Sequence, residues 1–192
     1  MGKNKIGIIV GSTRPQRISF DIAQWVNQRL KGKRFVTEII DLADIDLPLF
    51  DEPEIPASGH YQHEHTKKWS KLIQQFDGFV FVYPQYNWGY PAVLKNALDF
   101  LFQEWNYKPV SLIPHGSHGG FQAQIGLQLV IQGLKMKPMA VNPALTITHE
   151  MFNEKGKFID IQSAFEDKEP AIQLLGKKFD SLFYKNAEVE QK

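Results

Sequence analysis

Phe79-Val-Phe-Val-Tyr83 is the strongest strand signal in the chain, and the interpretation of the fold starts from it. Gly78 precedes this run and Pro84 follows it, so residues that interrupt regular structure bound it on both sides. A short, continuous apolar run suits a strand that is buried on both faces, as in a parallel sheet. We therefore expect helices on both sides of this strand.

Outward from this strand, apolar runs and helical periods alternate. Further strands are predicted at 6–10, 35–42 and 110–113, with a fifth from Met139–Val141 towards Ile147. Helices are predicted at 22–30, 69–76, 94–102, 127–134 and 172–183. This alternation predicts a single α/β domain over residues 1–192, with a five-stranded parallel sheet between two helical layers. Two strand orders are common at this size, the dinucleotide-binding order and the order 2-1-3-4-5, which binds flavin mononucleotide (FMN) at its switch point.

The composition restricts the chemistry. The 192 residues carry a net charge of +1, which gives no reason to expect a nucleic acid or a membrane surface as partner. No apolar run approaches the roughly 20 residues of a membrane span. The absence of cysteine excludes disulfides, thiolate metal sites and cysteine nucleophiles, so redox chemistry would need a bound cofactor. A cytoplasmic location is expected.

The loop after the first strand, Gly11-Ser-Thr-Arg-Pro-Gln-Arg-Ile-Ser19, leads into a helix. A helix N-terminus offers free N–H groups and the positive end of the helix dipole, which favour a phosphate. Hydroxyl donors are added by Ser12 and Thr13, and guanidinium donors by Arg14 and Arg17. Because the dinucleotide and Walker glycine patterns are absent, the loop indicates a terminal phosphate monoester. The alternative is an ordinary turn with Ser19 as the N-cap.

The loop after Phe79–Tyr83 is Pro84-Gln-Tyr-Asn-Trp-Gly-Tyr-Pro91. A planar ligand needs flat apolar surface and a few fixed polar contacts, and this loop offers aromatic rings, prolines and amides together. The candidate contacts to such a ring are Pro84, Gln85, Tyr86, Asn87 and Trp88. The alternative is that Trp88 and Tyr90 lie in the core or at a subunit interface.

The loop after the fourth strand, His115-Gly-Ser-His-Gly-Gly120, contains three glycines. Bare backbone lets a ligand edge approach closely, and the next helix adds N–H groups that would favour the negative charge of a reduced flavin near N1. The candidate contacts are Ser117, His118, Gly119 and Gly120. The alternative is a tight turn that uses glycine for positive φ.

These loops together resemble the NAD(P)H-dependent FMN reductase family, flavodoxin-like enzymes often described as quinone, azo or chromate reductases. The most specific block is Pro84-Gln-Tyr-Asn-Trp-Gly-Tyr-Pro-Ala-Val-Leu-Lys-Asn-Ala-Leu-Asp99, because members commonly share its Tyr-Asn, Tyr-Pro and Leu-Lys-Asn-Ala elements. Gly11-Ser-Thr-Arg14 is similar to the family's phosphate loop, and Gly119-Gly120 to its third loop. Two departures are Gln85, where glutamate is commoner, and Pro15-Gln16-Arg17, where small residues are common.

The resemblance implies a flavodoxin-like sandwich that binds FMN and takes a hydride from NAD(P)H. It adds Ser19 to the implied phosphate contacts. A quinone, free flavin, azo compound or similar small acceptor then takes two electrons. Since the flavin carries the chemistry, no catalytic side chain is assigned, although Tyr86, His118 or a water would deliver a proton. The resemblance also implies a homodimer or homotetramer, with contacts from 88–102 and 105–107.

Three rival functions stay open at this stage. A flavodoxin-type electron carrier usually has a strongly acidic surface and a threonine-rich phosphate loop, whereas this chain is nearly neutral and its loop holds arginine. A non-catalytic flavin-binding sensor or scaffold is the second rival. The third is a metal protein built on His60, His63 and His65, which lie in an irregular segment without cysteine. We predict no metal site.

Overall fold

The computed structural model describes residues 3–189 as strands and helices that alternate along the chain. The strands are β1 (Asn4–Val10), β2 (Phe35–Asp41), β3 (Gly78–Pro84), β4 (Pro109–Gly116), β5 (Lys137–Pro138) and β6 (Leu145–Thr146). The helices are α1 (Ser19–Arg29), α2 (Leu42–Ile45), α3 (Glu64–Ile73), α4 (Ala92–Asp99), α5 (Phe121–Gly133), α6 (Ile161–Ala164) and α7 (Glu169–Val189). Among these helices, none combines the length and apolar character that crossing a bilayer requires.

The sheet is parallel and has the order β2-β1-β3-β4-β5, with β6 also beside β4. This confirms the order 2-1-3-4-5 and excludes the dinucleotide-binding order. Because all strands point the same way, the loops after β1, β3 and β4 emerge together at the carboxyl edge of the sheet. The chain reverses its winding between β1 and β3, which is where such sheets bind their ligands.

The fifth strand differs from the prediction. Residues 139–141 are not part of a strand, and the position beside β4 is shared by the two-residue strands β5 and β6. Pro143 has no N–H to donate to the ladder, and the Asn142 side chain takes the place of a backbone acceptor, since its Oδ1 accepts a hydrogen bond from Leu112 N at 2.8 Å. The Ser111 hydroxyl donates to Val141 O at 2.7 Å, which closes the gap between the two short strands.

Two apolar layers hold the helices on the sheet. Helices α1 and α7 pack on one face and α3, α4 and α5 on the other, as the three-layer prediction requires. Strand β3 is buried along its whole length and serves both layers. Its Phe79, Phe81 and Tyr83 face α3 and α4, while Val80 and Val82 face α1, in the period of two expected of a strand. The layers therefore fix β3, and with it the loop that starts at Pro84.

Candidate functional site

A cleft of about 350 Å³ lies at the carboxyl edge of the sheet, where the three predicted loops meet. Backbone hydrogen bonds set the loops side by side: Gly11 N donates to Val82 O at 2.8 Å and Gln85 N to His115 O at 2.9 Å. Seven of the predicted residues line this cleft, namely Arg14, Arg17, Ser19, Pro84, Gln85, Tyr86 and Ser117. Ser12 lies beside it, with its buried Oγ hydrogen-bonded to Tyr86 Oη at 3.0 Å.

The other predicted residues, Asn87, Trp88, His118, Gly119 and Gly120, do not line the cleft. Asn87 and Trp88 form the tip of a tight turn, in which Tyr86 and Gly89 exchange two backbone hydrogen bonds of 2.8 Å. Both residues have positive φ, 47° and 67°, which is unusual for side chains of this size. The turn leaves Trp88 73% exposed, so it is not a core residue. Their contact with a ligand stays a prediction.

The N-terminus of α1 points its free N–H groups at the loop with Arg14. Ile18 occupies the N-cap position, and no side chain of the described residues caps the helix. The alternative with Ser19 as N-cap is therefore wrong, because Ser19 is the first helical residue and its Oγ lies 2.8 Å from His115 Nε2. An uncapped helix N-terminus beside a cation favours an anion.

The two arginines of this loop differ in their partners. Arg17 forms an ion pair with Asp41, whose carboxylate also accepts a hydrogen bond from Ala43 N. Its Nε is buried and has no hydrogen-bond partner among residues 3–189. Arg14 forms no ion pair with any described residue and donates only to Gln16 O. Arg14 is thus the available full charge of the loop.

Gln85 has a structural role that explains why an amide is accepted where glutamate is commoner. Its side-chain Oε1 accepts a hydrogen bond of 3.1 Å from Ala123 N, in the first turn of α5. An amide oxygen and a carboxylate oxygen can both accept this bond, so the substitution keeps the contact and removes one charge from the cleft. The loop after β3 is thereby tied to the start of α5.

The glycine loop after β4 uses its glycines for backbone geometry. Gly119 and Gly120 have φ of 71° and 72°, as the tight-turn alternative expects. A Cβ on Gly120 would stand 2.8 Å from Pro114 Cβ, so no side chain fits there. Ser117 faces the cleft, whereas the exposed His118 turns to Ser117, with Nδ1 3.1 Å from its Oγ.

His115, at the end of β4, lines the cleft but is not among the contacts predicted from the sequence. Its side chain is buried, and burial together with the nearby Arg14 charge lowers its pKa to about 3. A neutral imidazole therefore supports Ser19 at the start of α1. The sequence shows that His115 begins the glycine loop. It does not show the contact with Ser19, which lies 96 positions away in the sequence.

A further wall of the cleft comes from the segment after β6, which sequence reasoning also missed. Its contributing residues are Ile147, Thr148, His149 and Phe152. No motif in the printed sequence signals this segment, since it follows the interrupted fifth strand and carries no glycine-rich or aromatic block. The cleft consequently has four sides instead of three.

The histidines of the metal hypothesis are engaged with acidic groups and with each other. His60 Nδ1 lies 3.3 Å from Glu54 Oε2, and His65 Nε2 lies 2.9 Å from Asp51 Oδ1. The His63 ring stacks on the His65 ring, with centroids 5.2 Å apart. Among the described residues, no group of three or more potential ligands converges on one point.

Comparison with known proteins agrees with this geometry. Residues 4–150 match the family model described as NADPH-dependent FMN reductase. An NAD(P)H-dependent FMN reductase of Schizosaccharomyces pombe is 47% identical over 151 residues, 76% of this chain and 74% of that protein. A quinone reductase of Pseudomonas putida is 28% identical over 163 residues, 81% and 84% of the two chains. The structure of the flavoenzyme NAD(P)H:(acceptor) oxidoreductase FerB from Paracoccus denitrificans shares the fold at a TM-score of 0.70, with 22% identity over 95% and 98% of the chains. The chain belongs to the NADPH-dependent FMN reductase family.

Proposed function

We propose that this protein is an FMN-dependent oxidoreductase that takes a hydride from NAD(P)H and passes two electrons to a small acceptor such as a quinone, an azo compound or free flavin. Bound FMN would supply the hydride and electron chemistry, which no side chain of this chain can perform. The observation that carries the proposal is the cleft itself, lined by an arginine without an ion pair among the described residues, by the start of an uncapped helix and by the Pro84–Tyr86 loop.

The phosphate end would be held by Arg14, Ser12, Ser19 and the first-turn N–H groups of α1. We propose that the Asp41 ion pair leaves Arg17 to orient the loop, while Arg14 carries the charge that the phosphate needs. His115 would act on Ser19 as a positioning residue.

The ring end would lie against Pro84, Gln85 and Tyr86, with Ser117 at its edge. Asn87, Trp88, His118, Gly119 and Gly120 stay proposals as ring contacts. Trp88 extends from the turn into solvent, where it would cover the outer face of a bound ring or a second substrate. Among these residues, Tyr86 and His118 are the exposed groups that would deliver a proton to the acceptor.

The test of this function is spectroscopic and kinetic. We expect the purified protein to be yellow or to become yellow with FMN, and its visible absorbance to bleach when NADPH is added without oxygen. Steady NAD(P)H consumption with a quinone, and no partner protein, would dismiss the electron-carrier and sensor alternatives. A protein that takes up no FMN, or that bleaches but does not turn over any acceptor, would contradict the proposal.

We also propose that residues 1–192 form a single domain in the cytoplasm and assemble as a homodimer or homotetramer. Of the expected contact segment 105–107, Trp105 is fully buried beside Phe79 and Phe81, whereas Tyr107 is exposed. Exposed apolar side chains also follow one face of α5 at four-residue spacing, namely Phe121, Ile125 and Leu129. Together with the exposed Trp88, this face is the best candidate for a contact with a second copy.

We expect Ile125→Glu to shift the protein from oligomer to monomer, because it places a charge in the middle of this apolar face. Light scattering coupled to gel filtration measures the mass. The matched control is Gln24→Glu, which adds the same charge on α1, in the opposite helical layer, and should leave the mass unchanged. An Ile125→Glu protein with the mass of the wild type would rule out this face.

A further inference from the structure

A β-hairpin follows the 3₁₀ turn at His149–Met151, next to the cleft. Phe152 and Phe158 pair across it in an antiparallel bridge, and their ring centroids are 4.7 Å apart. Asn153 holds the turn, since its Oδ1 accepts hydrogen bonds from Lys155 N at 2.9 Å and Lys157 N at 3.2 Å. The hairpin is thus an ordered element, with a short exposed tip.

A row of aromatic rings anchors this hairpin to the body of the protein. Phe158 contacts Phe165 at 5.7 Å, and Phe165 contacts the buried Trp25 of α1 at 5.4 Å. Aromatic contacts at these distances stabilise beyond the apolar area that they bury. One side of the hairpin is therefore fixed to the same helix whose N-terminus forms the phosphate end of the cleft.

Phe152, the first residue of the hairpin, faces the cleft. Thr148, His149 and Phe152 line it together with Arg14 and Arg17. Phe152 is only half-buried, so part of its ring is free to contact a ligand. The match to the family model ends at residue 150, two residues before Phe152. Of the four wall residues, Ile147, Thr148 and His149 lie within the family match, and Phe152 lies beyond it.

We propose that the hairpin of residues 152–158 retains FMN in the cleft, with Phe152 as the contact to the ribityl chain or the ring. The inference rests on the proposed function and extends it to a residue outside the family match. Apolar contact with Phe152 would remove ligand and side-chain surface from water, and the contacts of Phe158 with Phe165 and of Phe165 with Trp25 hold the hairpin in place. The hairpin would thereby lower the Kd for FMN.

The test is a titration of wild-type and variant protein with FMN and with riboflavin, followed by flavin fluorescence. We expect Phe152→Ala to raise the Kd of both ligands about tenfold, because it removes an apolar contact that does not involve the phosphate. Phe152→Leu should recover most of the affinity. The matched control is Ile159→Ala, an exposed residue that follows the hairpin outside this cleft, which should bind both ligands like the wild type.

A second readout needs no variant. Lys155 and Lys157 lie exposed at the tip, and we expect saturating FMN to slow trypsin cleavage after them. If the wild type binds no FMN, the proposed function itself fails. If the wild type binds FMN, but neither the Kd of Phe152→Ala nor the cleavage at the tip changes, the function stands and the role of the hairpin is overturned.

Discussion

Arg14→Ala is expected to raise the Kd for FMN about 10- to 100-fold, the range that corresponds to losing one hydrogen bond with a charged partner. Arg14 makes no ion pair with the described residues, so its full charge is available to a ligand. It stands beside the uncapped N-terminus of α1, whose dipole acts in the same direction. Fluorescence titration of the cofactor-free protein measures the change.

The specificity of this loss is as informative as its size. Riboflavin lacks the phosphate, so its Kd should not change in Arg14→Ala, in contrast to the Phe152→Ala variant. Gln16→Ala is the matched control, since Gln16 is an exposed neighbour in the same loop and only its backbone oxygen contacts Arg14. Equal losses for FMN and riboflavin, or no loss for FMN, would show that Arg14 does not bind the phosphate.

Arg17 is the less informative target, although the sequence treats both arginines alike. Its partner Asp41 has a side chain only 5% exposed, and removing Arg17 would leave that carboxylate buried without its ion pair. Such a change destabilises the protein whether or not FMN binds. The sequence shows two arginines in one loop. It does not show that Asp41, 24 positions after Arg17, forms an ion pair with Arg17 and leaves Arg14 without one.

Most of the fold follows from local patterns. The apolar run at 79–83 predicts a doubly buried strand, and the loops after β1, β3 and β4 lie where parallel strands must place them. The fifth strand could not be predicted in the same way, because its apolar residues do not show that Asn142 and Pro143 interrupt the ladder. The Asn142 side-chain oxygen takes the place of a backbone acceptor, and this contact depends on tertiary packing that a local pattern does not show.

The candidate site shows the same limit. The three glycine- or aromatic-rich loops were recognisable, since their composition departs from that of an ordinary turn. His115 and Phe152 were missed because each depends on contacts with distant residues, Ser19 for the first and Phe165, through Phe158, for the second. Local composition can mark where a ligand approaches, but not which buried side chain supports the site.

The second large effect concerns pH. We expect the free energy of unfolding to fall by about 2 kcal/mol between pH 7 and pH 5 on account of His115 alone. Burial lowers the pKa of His115 in the folded protein to about 3, whereas an unfolded histidine titrates near 6.5. Between these values the unfolded chain binds the extra proton, so this stability is complete above about pH 6.5 and is lost as the pH falls towards 3.

Urea unfolding at the two pH values measures this loss, and His115→Gln isolates it. The glutamine amide can stay near Ser19 Oγ but does not titrate, so the variant should lose about 2 kcal/mol less than the wild type between pH 7 and pH 5. His60→Asn is the control, because the His60 side chain is largely exposed. This variant should lose as much free energy of unfolding between pH 7 and pH 5 as the wild type. If the free energy of unfolding falls equally in the wild type and in His115→Gln between pH 7 and pH 5, His115 accepts a proton in the folded state. In that case the cleft would gain a positive charge beside Ser19 on acidification.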